Sequence, residues 1–306
     1  KSISLLQEIS ESTDLHLSPY IAWSLAICYQ EKEAYEQAHN FYQECFEQLA
    51  HCIEPNSFLV YWRNRGICHR LDSKYEQAID CFQQMLAIAR ELLKPEEEAL
   101  ALYHFGRVYK SWGKHEEAIT YHEQSRDLYQ QLEKTKDVAN QWSWISNCYR
   151  EWGKYEKALE CQHQCLLIRQ TLGDQTSIAR TYFQLGRIYQ EWGKYEEAIN
   201  HYEQSRNLYQ QLEKTKDVGS LWYLIADCYG DLGKYEKALE CQHQCLLIRQ
   251  TLDDQTLIAS TYHQLGRIYQ AWGKYEEAIT KHEQSRDREH LSLALSNYTH
   301  KNQAYH

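Results

Sequence analysis

Small and apolar positions recur along this chain with a period of 40 residues. Ala26, Gly66, Gly106, Ser146, Gly186, Ala226 and Gly266 fall at one phase, and all are small. Three residues later come flat rings: Tyr29, His69, Tyr109, Tyr149, Tyr189, Tyr229 and Tyr269. Twelve residues after each small site stands an alanine: Ala38, Ala78, Ala118, Ala158, Ala198, Ala238 and Ala278. Between these marks the apolar residues keep three- and four-residue spacings, as in Tyr195, Ala198, Ile199 and Tyr202, which predicts amphipathic helices. Two helices that cross closely need a residue without bulk at the contact, and the small site and the alanine supply one from each side. Leu25, Phe105, Ile145, Leu185, Ile225 and Leu265 fill the space beside the ring; Arg65 breaks the series, so the second unit reads as less regular. Seven antiparallel helix pairs follow.

The turn inside later units reads Trp112-Gly113-Lys114, Trp152-Gly153-Lys154, Trp192-Gly193-Lys194 and Trp272-Gly273-Lys274, with Leu232 replacing the tryptophan before Gly233. Glycine just past a helix end closes it in the left-handed conformation. The first two units carry Glu33-Ala34 and Asp72-Ser73 there and are expected to be less sharply capped. Tyr155, Tyr195, Tyr235 and Tyr275 open the second helices and are expected under the turn. Asp137, Asp174, Asp217 and Asp254 stand where N-caps belong, and Pro95 suits a first helical turn. A second period of 80 overlies the first, since Gly153 to Leu172 repeats unchanged as Gly233 to Leu252.

Composition agrees with helix throughout: 3 prolines and 12 glycines in 306 residues. The net charge of -10 argues against a general nucleic-acid binder. No apolar run is long enough to span a membrane and no signal peptide opens the chain, which begins on lysine rather than methionine. Ten of the eleven cysteines fall at repeated phases (Cys28, Cys68, Cys148, Cys228; Cys45, Cys165, Cys245; Cys81, Cys161, Cys241), the pattern of buried small side chains in a reducing, cytoplasmic compartment.

The run Leu185-Gly186, Tyr189, Gly193, Tyr195, Ala198, Tyr202 resembles the tetratricopeptide repeat signature over about residues 19–288, in the longer-repeat variant similar to kinesin light chains, LGN-type adaptors and bacterial, above all cyanobacterial, repeat proteins. The resemblance implies an all-α, right-handed superhelix of seven pairs, with a concave groove that takes a peptide or partner helix. It also implies that such repeats can be the sensor or adaptor arm of a larger protein, joined to a protease-like or signalling ATPase domain; none is legible here.

The resemblance places the groove on the first helix of each pair, one residue after the small site: Ile27, Ile67, Arg107, Asn147, Arg187, Asp227 and Arg267. One turn earlier on the same face stand Trp23, Arg63, Tyr103, Ser143, Phe183, Tyr223 and His263. Arginine grips carboxylate or phosphate through two parallel hydrogen bonds, so an acidic protein or peptide ligand is expected. Glu151, Glu191, Asp227 and Asp231 are alternative partners for those arginines within the chain. Only Asn147 matches the lysine-and-asparagine clamp of chaperone-binding relatives, which argues against a chaperone tail as ligand.

No catalytic constellation, cofactor motif or metal site is read. In Cys161-Gln162-His163-Gln164-Cys165 the two cysteines share a helix face and His163 points elsewhere, so a core role is expected rather than zinc. The function class expected is a protein-interaction scaffold and not an enzyme. Structural self-assembly through exposed solenoid ends, as a weak homodimer, is the alternative, and RNA binding through the groove arginines a minor one. Residues 1–18 are expected to form an N-terminal helix or cap, and residues 289–306 a tail or capping helix.

Overall fold

Twelve helix ends are each closed by one residue in the left-handed region, and these residues fall on a 20-residue step: Glu33, Ser73, Leu93, Gly113, Glu133, Gly153, Gly173, Gly193, Glu213, Gly233, Asp253 and Gly273. In a computed structural model describing residues 19–49 and 55–304, with side chains from 22–47 and 56–290, the described residues form fourteen α-helices and no strand. They are α1 (Pro19–Glu31), α2 (Tyr35–Leu49), α3 (Pro55–Leu71), α4 (Tyr75–Glu91), α5 (Pro95–Ser111), α6 (His115–Gln131), α7 (Thr135–Glu151), α8 (Tyr155–Thr171), α9 (Gln175–Glu191), α10 (Tyr195–Gln211), α11 (Thr215–Asp231), α12 (Tyr235–Thr251), α13 (Gln255–Ala271) and α14 (Tyr275–Ala304). Odd-numbered helices open the repeat units and even-numbered ones close them. The cap expected over residues 1–18 lies outside the described residues.

From α3 to α13 both helices of a unit have 17 residues, so the period of 40 is two near-equal half-steps. Eleven of these turns show the same pair of hydrogen bonds. The amide of Lys114 donates to Tyr109 O (2.9 Å) and that of Gly113 to Lys110 O (3.0 Å), the pattern that satisfies the last orphan carbonyls of a helix. The glycine-free turns do the same: Ala34 N to Tyr29 O at 3.0 Å and Lys74 N to His69 O at 2.8 Å. The expectation of looser closure in the first two units is therefore wrong. Glu33 and Ser73 accept the left-handed conformation, with φ of 59° and 58°, because the two bonds and the packed helices on either side over-determine it.

Asp174 and Asp254 are N-caps, accepting from Ser177 N (3.0 Å) and Leu257 N (3.1 Å). Asp137 and Asp217 are not; α7 and α11 begin at Thr135 and Thr215, which leaves both aspartates in the first turn, where they face the positive end of the helix dipole. Pro95 is the first residue of α5.

All seven repeat alanines are buried. The glycines at the small site serve a second purpose. A β-carbon on Gly66, Gly106, Gly186 or Gly266 would stand 2.5–2.7 Å from the ring of Phe82, His122, Tyr202 or His282, sixteen residues on, so glycine makes room for a ring on the partner helix. Where the small site is Ser146, its hydroxyl instead donates to Ala158 O at 2.7 Å. Opposite Ala226 stands Gln242, fully buried, with no partner for its amide among the described residues.

Three of the rings that open even helices stack on the tryptophan of the following unit's turn: Tyr75 on Trp112 at 5.5 Å, His115 on Trp152 at 6.3 Å and Tyr235, expected under its own turn, on Trp272 at 5.8 Å. The lysine of each Trp-Gly-Lys turn lies over its own tryptophan at 3.1–3.5 Å. On α14, Tyr275 and Ile279 are 67% and 59% exposed, against 6% for Ile199 at the matching position.

Arg65 does not disturb α3. Its guanidinium donates to the Tyr61 hydroxyl (2.7 Å) and to Gln43 Oε1 (3.2 Å) and lies over Trp62, replacing an apolar contact with a cation-on-ring one. Cys161, Cys165, Cys241 and Cys245 are core residues and His163 and His243 are exposed. Burial pushes the Cys161 thiol up to about 12, so it is an inert packing group.

The chain divides into two compact units, Lys1–Cys161 and Gln162–His306, with the division inside α8.

Candidate functional site

In the first compact unit, three odd-numbered helices present the expected positions side by side. On α3, Arg63, Ile67 and Arg70 follow at four- and three-residue steps and so share a face. On α5 the same face holds Tyr103 and Arg107, and on α7 Trp144 and Asn147. Arg107 is the centre of the group. Its guanidinium lies over the Tyr103 ring at 5.7 Å and the Trp144 ring at 5.3 Å, and those rings meet edge to face at 5.7 Å. A guanidinium over an aromatic face keeps its in-plane N–H groups free for an anion.

Arg70 stands close by. One of its terminal nitrogens donates to Ser111 Oγ at 3.4 Å, and its Nε is buried without a partner among the described residues. Burial, and then the nearby Arg107, pull its pKa down to about 10. Beneath lies His104, 4% exposed, held neutral with a pKa near 3 by burial and by Arg107, Arg63 and Arg70 around it. Within 4 Å of Arg63, Arg70 and Arg107 no carboxylate is found among the described residues. Glu151 pairs with Lys110 (2.7 Å) and Arg150 (3.3 Å) instead. Trp23 packs against the α1–α2 core, apart from this group, with its indole nitrogen buried and without a partner among the described residues.

In the second compact unit the matching face is closed on itself. Asp227 accepts from the amide of Gln190 at 3.0 Å on one oxygen and from Gln264 on the other, so one carboxylate joins α9, α11 and α13. Tyr202 donates to Gln190 Oε1 at 2.7 Å, Arg267 to Gln264 Oε1 at 3.1 Å and Tyr223 to the same oxygen at 3.5 Å. Arg187 pairs with Glu191 at 3.3 Å. Asp231 is raised by burial and by Asp227, and Arg267 acts against that rise. His263 is exposed beside the His282 ring. Phe183 lines a cleft of about 280 Å³ with Arg180, Gln184, Tyr209 and Asp217.

Four residues that matter at these faces escape the sequence reading: Trp144, Arg70, Gln190 and Gln264. Trp144 lies two residues before a small site and Arg70 four after one. Only the neighbouring helix makes these phases part of the face, so single-helix spacing does not reveal them.

No group of three metal-capable side chains occurs among the described residues, and no described helix is long and apolar enough to cross a membrane.

No curated protein matches the chain. Among solved structures, BtubC (BKLC) from P. vanneervenii is 20% identical with a TM-score of 0.62, the alignment covering 72% of this chain and 92% of that one. The STAND protein PH0952 from Pyrococcus horikoshii, a signal transduction ATPase with a tetratricopeptide repeat sensor, is 14% identical with a TM-score of 0.69, over 96% of this chain and 45% of that one. A Rap protein complexed with competence and sporulation factor is 14% identical with a TM-score of 0.54, over 89% and 97%. At such identities the likeness shows the fold. The tetratricopeptide repeat pattern itself matches residues 57–131, 137–211 and 217–288, most of the sequence. The chain belongs to the tetratricopeptide repeat family.

Proposed function

We propose that this chain is a protein-interaction scaffold whose recognition face is the α3–α5–α7 surface of the first compact unit, and that it takes an acidic segment of a partner protein or peptide. The observation that carries this reading is Arg107 laid over Tyr103 and Trp144 with no carboxylate within 4 Å among the described residues. Rings and arginine together are the residue types that dominate binding energy at interfaces, and an unpaired guanidinium on a ring platform is pre-organised for an oxyanion. The Rap protein described with its bound factor and the ATPase described with a repeat sensor are similar folds and support the class.

In this reading the second unit's face contributes less, because its polar groups already satisfy one another. Affinity capture with three forms of the chain tests it: wild type, Arg63→Glu/Arg107→Glu, and Arg187→Glu/Arg267→Glu. The first pair of substitutions is expected to abolish recovery of partners and the second to leave most of it. Equal recovery by all three forms would remove the proposal.

A further inference from the structure

The arrangement of charge in the first compact unit narrows the chemistry of the acidic ligand, an inference that rests on the proposed α3–α5–α7 recognition face. Three arginines on α3 and α5, Arg63, Arg70 and Arg107, act electrostatically on the buried neutral ring of His104, which packs against Tyr103 at 5.1 Å beneath Arg107. Arg70 and Arg107 lie near enough to repel, and one nitrogen of Arg70 is buried without a partner among the described residues. Among the described residues no carboxylate lies within 4 Å of any of them, although the chain as a whole carries a net charge of -10. A protein that is acidic overall yet gathers three cations on one face leaves that charge for something outside itself.

One carboxylate answers one arginine fork. A phosphate monoester carries about -1.5 to -2 charges at neutral pH and offers three acceptor oxygens, so it can engage several guanidinium groups at once. Tyr103 and Trp144 stand beside the cluster and supply an apolar wall for the residue that bears the charge. We infer that the α3–α5–α7 face recognises a phosphorylated side chain of a partner peptide, with Arg107 and Arg63 gripping the phosphate and Arg70 at its base. A peptide is favoured over a nucleic-acid backbone because a backbone needs a continued basic track. Here the groups matching Arg107 in the second unit, Arg187 and Arg267, stand beside Glu191 and Asp231.

The test offers the full chain five labelled probes: short peptides with random flanks around a fixed phosphoserine, phosphotyrosine, glutamate or tyrosine, and an oligouridine RNA. At least one phosphorylated pool is expected to bind roughly tenfold or more tighter than the glutamate pool. Arg63→Gln/Arg107→Gln should reduce it to the level of the tyrosine pool, while Arg187→Gln/Arg267→Gln retains it. An unchanged thermal midpoint in the Arg63→Gln/Arg107→Gln protein, with binding lost, assigns the loss to the contact. If that protein is less stable, Arg107→Lys, which keeps the charge and loses the fork, should still weaken phosphate binding more than glutamate binding. If the glutamate pool binds as tightly as the phosphorylated ones and both are lost in the variant, the recognition face stands and the phosphate inference falls. Preference for RNA overturns it in favour of nucleic acid. Retention of no pool, or equal retention by the variant, overturns it as well.

Discussion

The two compact units of this chain are built on one framework and carry different surfaces. In the first, Ser125 donates to Ala99 O at 2.7 Å and Arg126 lies over Trp142 at 4.5 Å; in the second, 80 residues on, Ser205 donates to Ala179 O at 2.8 Å and Arg206 lies over Trp222 at 4.1 Å. Their faces diverge at the residue after the small site. Arg107 rests on two rings with its hydrogen-bonding edge unclaimed, whereas Arg187 meets Glu191, and Asp227 is held by glutamines from both neighbouring helices. The cores differ as well. The first unit buries neutral histidines, His69, His104 and His122, and the second places Tyr202 where His122 stands. The comparison shows that duplication copies the contacts that hold a helix pair together, while each surface position takes its properties from the adjacent helices.

The largest expected difference is in acid. Burial holds His69 and His104 near a pKa of 3 and His122 near 4, against 6.5 in the unfolded chain. The neutral form is the folded one, so this stability is complete above about pH 6.5 and is lost as pH falls toward the folded values, by roughly 2–3 kcal/mol per histidine at about pH 4.5. In the second unit, among the described residues, only His201 is shifted the same way. Hydrogen exchange on acidification should open α3 to α6 well before α10 to α13. The reverse order would break the comparison.

A smaller effect is expected at the face itself. Asp227→Ala strands the amides of Gln190 and Gln264 and should cost about 1–3 kcal/mol in thermal or urea unfolding, while Asn147→Ala at the matching place in the first unit should stay within about 0.5 kcal/mol. Equal losses would show that the first face is as internally bonded as the second. The smallest effect serves as a control on the shared framework. Gly113→Ala and Gly193→Ala each place a methyl in open space at a φ of 78° and should each cost about 1 kcal/mol, indistinguishably in the two units. A clear difference between them would mean that the turns are not equivalent.

The helix pairs are legible because burial at a helix crossing constrains side-chain size at fixed phases, and Ala198 and Gly186 report that directly. Tyr195 to Gln211 as a helix, Pro95 in a first turn and the core cysteines are legible for the same reason. Sequence alone misjudges the turns of the first two repeats because glycine is one way to reach the left-handed region, and Glu33 and Ser73 reach it under the pull of two hydrogen bonds. Local spacing sends Tyr235 to the wrong turn because its stacking partner, Trp272, is 37 residues away, a distance that such spacing does not address. At the face, Arg107, Tyr103 and Asn147 are legible as one stripe, but Trp144 and Arg70 enter only from adjacent helices.

By itself the sequence determined the family, the number of helix pairs, the 40-residue step and the residues that occupy each crossing, since these follow from periodicity and from the volume a crossing allows. The tertiary structure decided which arginines are spoken for. That question turns on distances between side chains on different helices, and a guanidinium with a carboxylate at 3.3 Å and one lying over a ring at 5.3 Å read identically along the chain.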